Sequence, residues 1–185
     1  MLRGVLLSDL AATVLAMPVS AFPALAVERF GTPAATGWFL SALAAGGIAA
    51  GVLSGRVTRS GDLGRRVVLG GCGWGVALTG FGLSDGVLSI GFLVLAGAAD
   101  TVSVIARGAL VQQFTPEEFL GRVSALENVV GVAGPGCGNL RTGAVAELTS
   151  PGASVALGGV CAVAAIAALW WRSPRCRTHR CHHVE

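Results

Sequence analysis

The chain has 185 residues, of which 53% are hydrophobic, 12% are charged and 28 are Gly. A soluble domain carries about 25% charged residues. This composition therefore excludes a disordered chain, a disulfide-rich secreted domain and an ordinary soluble enzyme. The formal net charge is +3, and all 13 basic residues are Arg. They sit in short gaps between apolar stretches, a pattern of membrane orientation rather than of nucleic-acid binding.

The apolar residues fall into six blocks, each long enough for the ~20 residues that cross a hydrocarbon core. The first, about Gly4 to Val27, contains Pro18 and Pro23, which predict a kink or break in its outer half. Asp9 and the two prolines also distinguish it from a cleavable signal segment. After the gap Glu28 to Ala35, the second block runs from about Thr36 to Val57. The charged gap Thr58 to Arg66 leads to a third block, Val67 to Ser84. Asp85 and Gly86 form a turn before the fourth, Val87 to Ala106. The longest polar stretch, Arg107 to Arg122, precedes the fifth block, Val123 to Ala146. Ser150, Pro151 and Gly152 turn the chain into the sixth, Gly152 to Trp171. Blocks of this length exceed soluble strands, and strict alternation is absent, so a barrel is excluded. The expected fold is an all-α membrane bundle of six transmembrane helices over residues 1–174, followed by a disordered cytoplasmic tail, 175–185. The lipid bilayer is the first partner.

Arginine placement sets the expected orientation. With the N-terminus in the cytoplasm, eleven arginines lie inside, and only Arg29 and Arg141 lie outside. A multi-pass protein of the cytoplasmic (inner) membrane with both termini inside is the expectation.

Gly47, Gly51 and Gly55 form a smooth face on the second block, and Gly71 and Gly75 one on the third. Such faces let helices pack closely, with a moving interface as the functional alternative. In the polar stretch, Thr115, Pro116 and Glu118 have the spacing of a capping box, with Glu117 beside them at the helix start. This predicts a short amphipathic helix on the cytoplasmic side. Gly134, Pro135 and Gly136 predict a kink in the fifth block. Charges within membrane spans are costly and mark function or pairing. Asp100 is the leading candidate for coupling or gating, with Arg107, Asp9 and Glu127 as further candidates. Arg141 is a candidate to face an anionic substrate or to pair with Glu147. Cys72, Cys137 and Cys161 lie in apolar blocks as small hydrophobes. The tail residues Cys176, His179, Cys181, His182 and His183 fit no closed zinc spacing. There is no phosphate loop, zinc-protease motif or dinucleotide fingerprint, so the sequence points to no cofactor, no metal and no enzyme activity.

The gap after the second block carries Gly51, Gly55, Arg56, Gly64, Arg65 and Arg66. It resembles the cytoplasmic loop signature of the major facilitator superfamily, with Gly55 where an Asp is usual. The stretch from Gly97 to Gly143 resembles the C-terminal six-helix half of the enterobactin-exporter-like and macrolide-efflux-like branch. It does so through Gly97-Ala-Ala-Asp100, Gln112-Gln113-Phe-Thr115-Pro116-Glu117, Gly121-Arg122-Val-Ser124 and Gly134-Pro135. Two departures stand out. Leu120 replaces an Arg, and Asn139-Leu140-Arg141-Thr142-Gly143 stands where the branch tends to have Asp-Leu-Glu-x-Gly. The resemblance implies proton-driven export of a small organic molecule, a siderophore or a drug, by alternating access. The implied partner is an N-terminal six-helix half or a second copy. The rival expectations are a truncated or split fragment that only binds a partner half, and a membrane enzyme, for which no polar catalytic cluster is visible.

Overall fold

The computed structural model describes residues 10–53, 55 and 63–172. Asp9, Arg56, most of the gap between the second and third blocks, and the Cys/His tail lie outside the described residues. Everything described is helical apart from short connections. Residues 10–15 form the described part of α1, and a 3-10 turn follows at Val19–Ala21. Then come α2 (Phe22–Phe30), α3 (Ala35–Val52), α4 (Leu63–Leu83), α5 (Gly86–Phe114), α6 (Glu117–Leu148) and α7 (Pro151–Arg172). The fold is thus an all-α bundle.

The expected break in the first span is present at residues 16–18. Pro18 has no N–H to give to the carbonyl four residues back, and its ring crowds that carbonyl. Pro23 then falls in the first turn of α2, where a missing N–H costs nothing. α2 stops at Gly31, whose φ of 67° is the left-handed C-cap conformation glycine adopts freely.

Helix α4 packs against both α5 and α7, and α5 also packs against α3. The α3–α5 crossing is the tightest. A methyl group on Gly46 would strike the Val94 carbonyl, and one on Gly97 the Leu43 carbonyl. Gly71 and Gly75 open α4 to Ile166, Val163 and Gly159 of α7 in the same way. Gly47 lies 3.0 Å, as a built methyl, from Thr101 Oγ1, but Gly51 and Gly55 face open space. The expected glycine face of the second block therefore packs only at its Gly47 end, through a register set by Gly46 as much as Gly47.

Three connections share one end of the bundle. Arg29 reaches from α2 to donate to the carbonyls of Phe81 (2.8 Å) and Gly82 (3.1 Å), and lies 3.5 Å from Asp85. Gly152, at the start of α7, abuts the Gly82 carbonyl. Beneath this end, Phe22, Phe39 and Phe81 are fully buried and meet edge to face at 5.3 to 5.6 Å. A second, smaller core at the opposite end gathers Leu63, Val67, Ala106 and Leu110.

Among the described residues, five helical stretches are long and apolar enough to cross a membrane: Leu10–Phe30, Ala35–Val52, Leu63–Leu83, Gly86–Gln113 and Pro151–Trp171. The fifth apolar block, 123–146, lies inside α6, which is not among them. With 32 residues, α6 is about 48 Å long, ample to span. Its polar content, including Glu127, Asn128, Asn139 and Arg141, lowers its apolarity.

The polar stretch 107–122 also differs from expectation. It holds no separate short helix. Its first residues extend α5 to Phe114, and residues from Glu117 onward begin α6. No capping box forms, because the N-cap is Pro116 and no side chain caps the helix. Thr115, preceding a proline, is pushed into extended backbone (φ −110°, ψ 123°) and away from the cap position.

Candidate functional site

A cavity of about 220 Å³ opens between the helices in the half of the bundle away from the phenylalanine cluster. Helix α5 supplies its polar wall. Asp100, Ser103 and Arg107 recur at spacings of three and four, so they share one helix face. All three line the cavity, opposite Thr13 and Met17 of the first span, Trp74 of α4 and Pro135 of α6. Apolar residues, among them Leu43, Val67 and Ile166, complete the walls.

Arg107 is nine-tenths buried, and its Nε donates to Glu127 Oε1 at 2.9 Å. The side chains are 10% and 23% exposed, so the pair is shielded on both sides. Sequence reasoning named both residues, but as separate candidates. The fold joins them into an ion pair that ties α5 to α6. Asp100 sits on the exposed side of the same face, at the cavity mouth. Ser103 donates back to the Val67 carbonyl at 3.3 Å, which anchors the polar wall to α4.

Arg141 is elsewhere. It does not line this cavity, and its Nη2 donates to the Ser154 carbonyl of α7 at 3.4 Å. It lies against Gly158, beside the end of α1, rather than against Glu147. Its Nε is buried and has no hydrogen-bond partner within the chain. Pro135 lies within a continuous α6, flanked by Gly134, where an added methyl would meet Thr13. Gly136 has no close neighbour. Of the loop signature, Gly64, Arg65 and Arg66 form the first turn of α4. Two cations at a helix N-terminus oppose its dipole, so helix stability does not explain them.

Sequence reasoning missed a set of residues around the break. Trp74 Nε1 donates to the Ala16 carbonyl at 3.2 Å, and Thr142 Oγ1 to the Met17 carbonyl at 2.8 Å. Asn139 Oδ1 accepts from the Ser20 backbone N–H at 3.0 Å, and the Ser20 hydroxyl donates to the Asn139 carbonyl at 2.9 Å. Broken backbone at membrane depth must find such partners. Pro18 signalled the break, but nothing local in the sequence signalled which distant residues would close it.

Comparison with known proteins agrees with this architecture. Residues 5–180 match the sequence profile of the Major Facilitator Superfamily. The chain is similar to the enterobactin exporter EntS of Shigella flexneri, with 30% identity over 139 residues, covering 75% of this chain and 34% of that protein. Similarity to EntS of Escherichia coli O1:K1 is 29% and to that of Citrobacter koseri 28%, each over 75% of this chain and 33% of the relative. The chain thus spans about a third of the length of these relatives. No solved structure matches.

Proposed function

Because this chain belongs to the Major Facilitator Superfamily, a family of membrane transporters, we propose that it works as one six-helix part of a two-part exporter. In this reading the two parts rock about a central site, and inward proton flow drives a small organic molecule, a siderophore or hydrophobic drug, outward. The similarity to enterobactin exporters supports the direction and substrate class. Asp100 at the cavity mouth is the proposed proton carrier. Arg107 and Glu127 hold the wall that carries it.

The observation that carries the two-part reading is α6. Its inner half is exposed around much of its circumference, including Ser124, Leu126, Asn128, Val129 and Val132. It leans on α7 and the 3-10 turn, and through Gly134 and Gly138 on Thr13 and Met17 of the first span. Helix α6 is also the long helix that falls short of the apolarity of a membrane span. In lipid, a polar group such as the exposed Asn128 amide meets no water, at a cost of several kcal/mol. A second six-helix part seated on α6 removes that cost and closes the cavity mouth. The N-terminal half of a transporter, as a separate or continuous chain, fits better than a second copy, whose matching face would be identical rather than complementary.

The test is reconstitution. Vesicles holding this chain with a matching N-terminal half are expected to accumulate substrate when a proton gradient is imposed, and vesicles with the chain alone are not. Asp100→Asn in the active assembly is expected to remove the pH dependence while leaving expression unchanged. A chain that binds the N-terminal half without any transport would favour the rival reading, a non-transporting fragment.

A further inference from the structure

The break at residues 16–18 separates two segments held in different ways. On the outer side, Phe22, Leu25 and Ala26 are at most 1% exposed, and Phe22 is locked between the Phe39 and Phe81 rings at 5.6 Å each. On the inner side, Ala12, Thr13 and Met17 line the cavity. Their neighbours on α6 are Gly134 and Gly138, where an added methyl would collide with Thr13 or Met17. One segment is therefore keyed into an aromatic core, and the other packs against the glycine positions 134 and 138 of α6.

Besides the Trp74 bond to the Ala16 carbonyl, a relay of side-chain hydrogen bonds from α6 and α7 holds the junction. Ser154 of α7 donates to the Thr142 carbonyl at 2.7 Å, Thr142 donates to the Met17 carbonyl at 2.8 Å, and Asn139 accepts from the Ser20 N–H at 3.0 Å. Thr142 is 1% exposed and Ser154 is fully buried, so the two bonds they make are shielded, whereas the Ser20–Asn139 bond lies at the surface. Side-chain bonds can exchange without unwinding a helix, unlike the backbone ladder they replace.

We propose that Thr142 and Asn139 are positioning residues that clamp this break, so that the placement of the cavity wall at residues 12–17 is set from α6; this rests on the cavity being the working site of the transporter. In the exporter-like branch an acid stands near this position. Here the amide oxygen of Asn139 accepts the Ser20 N–H without adding a charge to the span, and Thr142 completes the clamp. Movement of α6 against a partner would then pass directly to Thr13 and Met17.

The experiment reads the clamp without needing transport. The full chain, with Cys72, Cys137, Cys161, Cys176 and Cys181 replaced, carries either Thr13→Cys or Ala26→Cys in native-like membranes. Each is reacted with N-ethylmaleimide. Thr142→Val is expected to raise the labelling rate of Thr13→Cys about fivefold, the population shift that loss of one net hydrogen bond gives. Thr142→Ser keeps the donor and is expected to restore the original rate to within about twofold. Asn139→Leu is a second, independent variant expected to act in the same direction. Ala26→Cys, in the aromatic core, is expected to stay unreactive throughout. Unchanged Thr13→Cys labelling in both Thr142→Val and Asn139→Leu overturns the proposal. So does an equal rise at Ala26→Cys, which reports general loosening. Failed transport with the labelling pattern intact would count against the functional reading and leave the clamp standing.

Discussion

Two arginines show how differently one residue type is used. Arg29 appears in the sequence as one of two outer arginines, with no further role. In the fold its side chain is only 4% exposed, donates to two carbonyls at the end of α4, and lies 4.9 Å from the Phe81 ring centroid. It acts as a C-terminal cap, where cations also suit the dipole. Arg29→Ala leaves the carbonyls of Phe81 and Gly82 without this donor and is expected to destabilise the chain by about 2–3 kcal/mol. Asp85, whose side chain is 90% exposed, contributes little to the same contact. Asp85→Ala should stay within about 0.5 kcal/mol of the parent. Denaturant unfolding in detergent compares the two, and equal losses would contradict the capping role. Arg107 is the opposite case, a shielded charge with a shielded partner. Glu127→Leu takes away one shielded partner of the guanidinium and is expected to cost about 1.5–3 kcal/mol, the range for a hydrogen bond to a charged group. Replacing Arg107 and Glu127 together with Met and Leu should cost less than Glu127→Leu alone. A double replacement that costs the sum of the singles would show that the two residues do not act as a pair.

Among the elements, the glycine positions separate what sequence can show from what it cannot. Among the described residues, five of the six apolar blocks were legible as helices able to cross a membrane, as was the proline break, because length, apolarity and the missing N–H are local properties. The three-glycine face of the second block was legible as a smooth surface, yet its partner and register were not. The contact runs through Gly46 and Gly97, and Gly97 lies on a helix two elements away. A Gly46→Ala or Gly97→Ala replacement drives a methyl into a backbone carbonyl. Overpacking of that kind costs about 1–3 kcal/mol, and more where backbone must shift. Gly51→Ala meets nothing within 4 Å and gains helix propensity, so it should be neutral or stabilising by up to about 1 kcal/mol. Thermal unfolding of the three variants checks the order, and a Gly51→Ala loss as large as that of Gly46→Ala would refute it. The polar stretch 107–122 misled in the other direction. Its Thr-Pro-Glu-Glu spacing has the letters of a capping box, but the proline takes the cap position itself and turns Thr115 away. The clamp residues Asn139 and Thr142 were hidden for a further reason. In sequence they read as the place where an acid is lost, and only the fold brings them to a break more than a hundred residues earlier.

For the whole molecule, the fold assigns ends to what were only gaps. The turn after α2, the turn at residues 84–85 and the start of α7 meet at one end through Arg29, Gly82 and Gly152. The start of α4, with Arg65 and Arg66, and the connection at residues 115–116 belong to the other end. An up-and-down helix order alone would fix which connections share a side but not which side faces the cytoplasm. The arginine distribution favours one answer, since eleven of the thirteen fall to one side when the N-terminus is placed inside. The expected topology therefore puts Thr32 and Thr149 outside and Thr115, with the gap before α4, inside. Native cysteines would confuse the assay, so they are replaced first. In intact cells, an impermeant maleimide should label Thr32→Cys and Thr149→Cys, and should reach Thr115→Cys and Ser60→Cys only after the membrane is opened. Moving all four arginines of the gap and α4 start, Arg56, Arg59, Arg65 and Arg66, to Gln should weaken the bias and yield a mixed population. The converse labelling pattern in the unmodified background would invert the bundle, and with it the direction in which Asp100 meets the proton gradient.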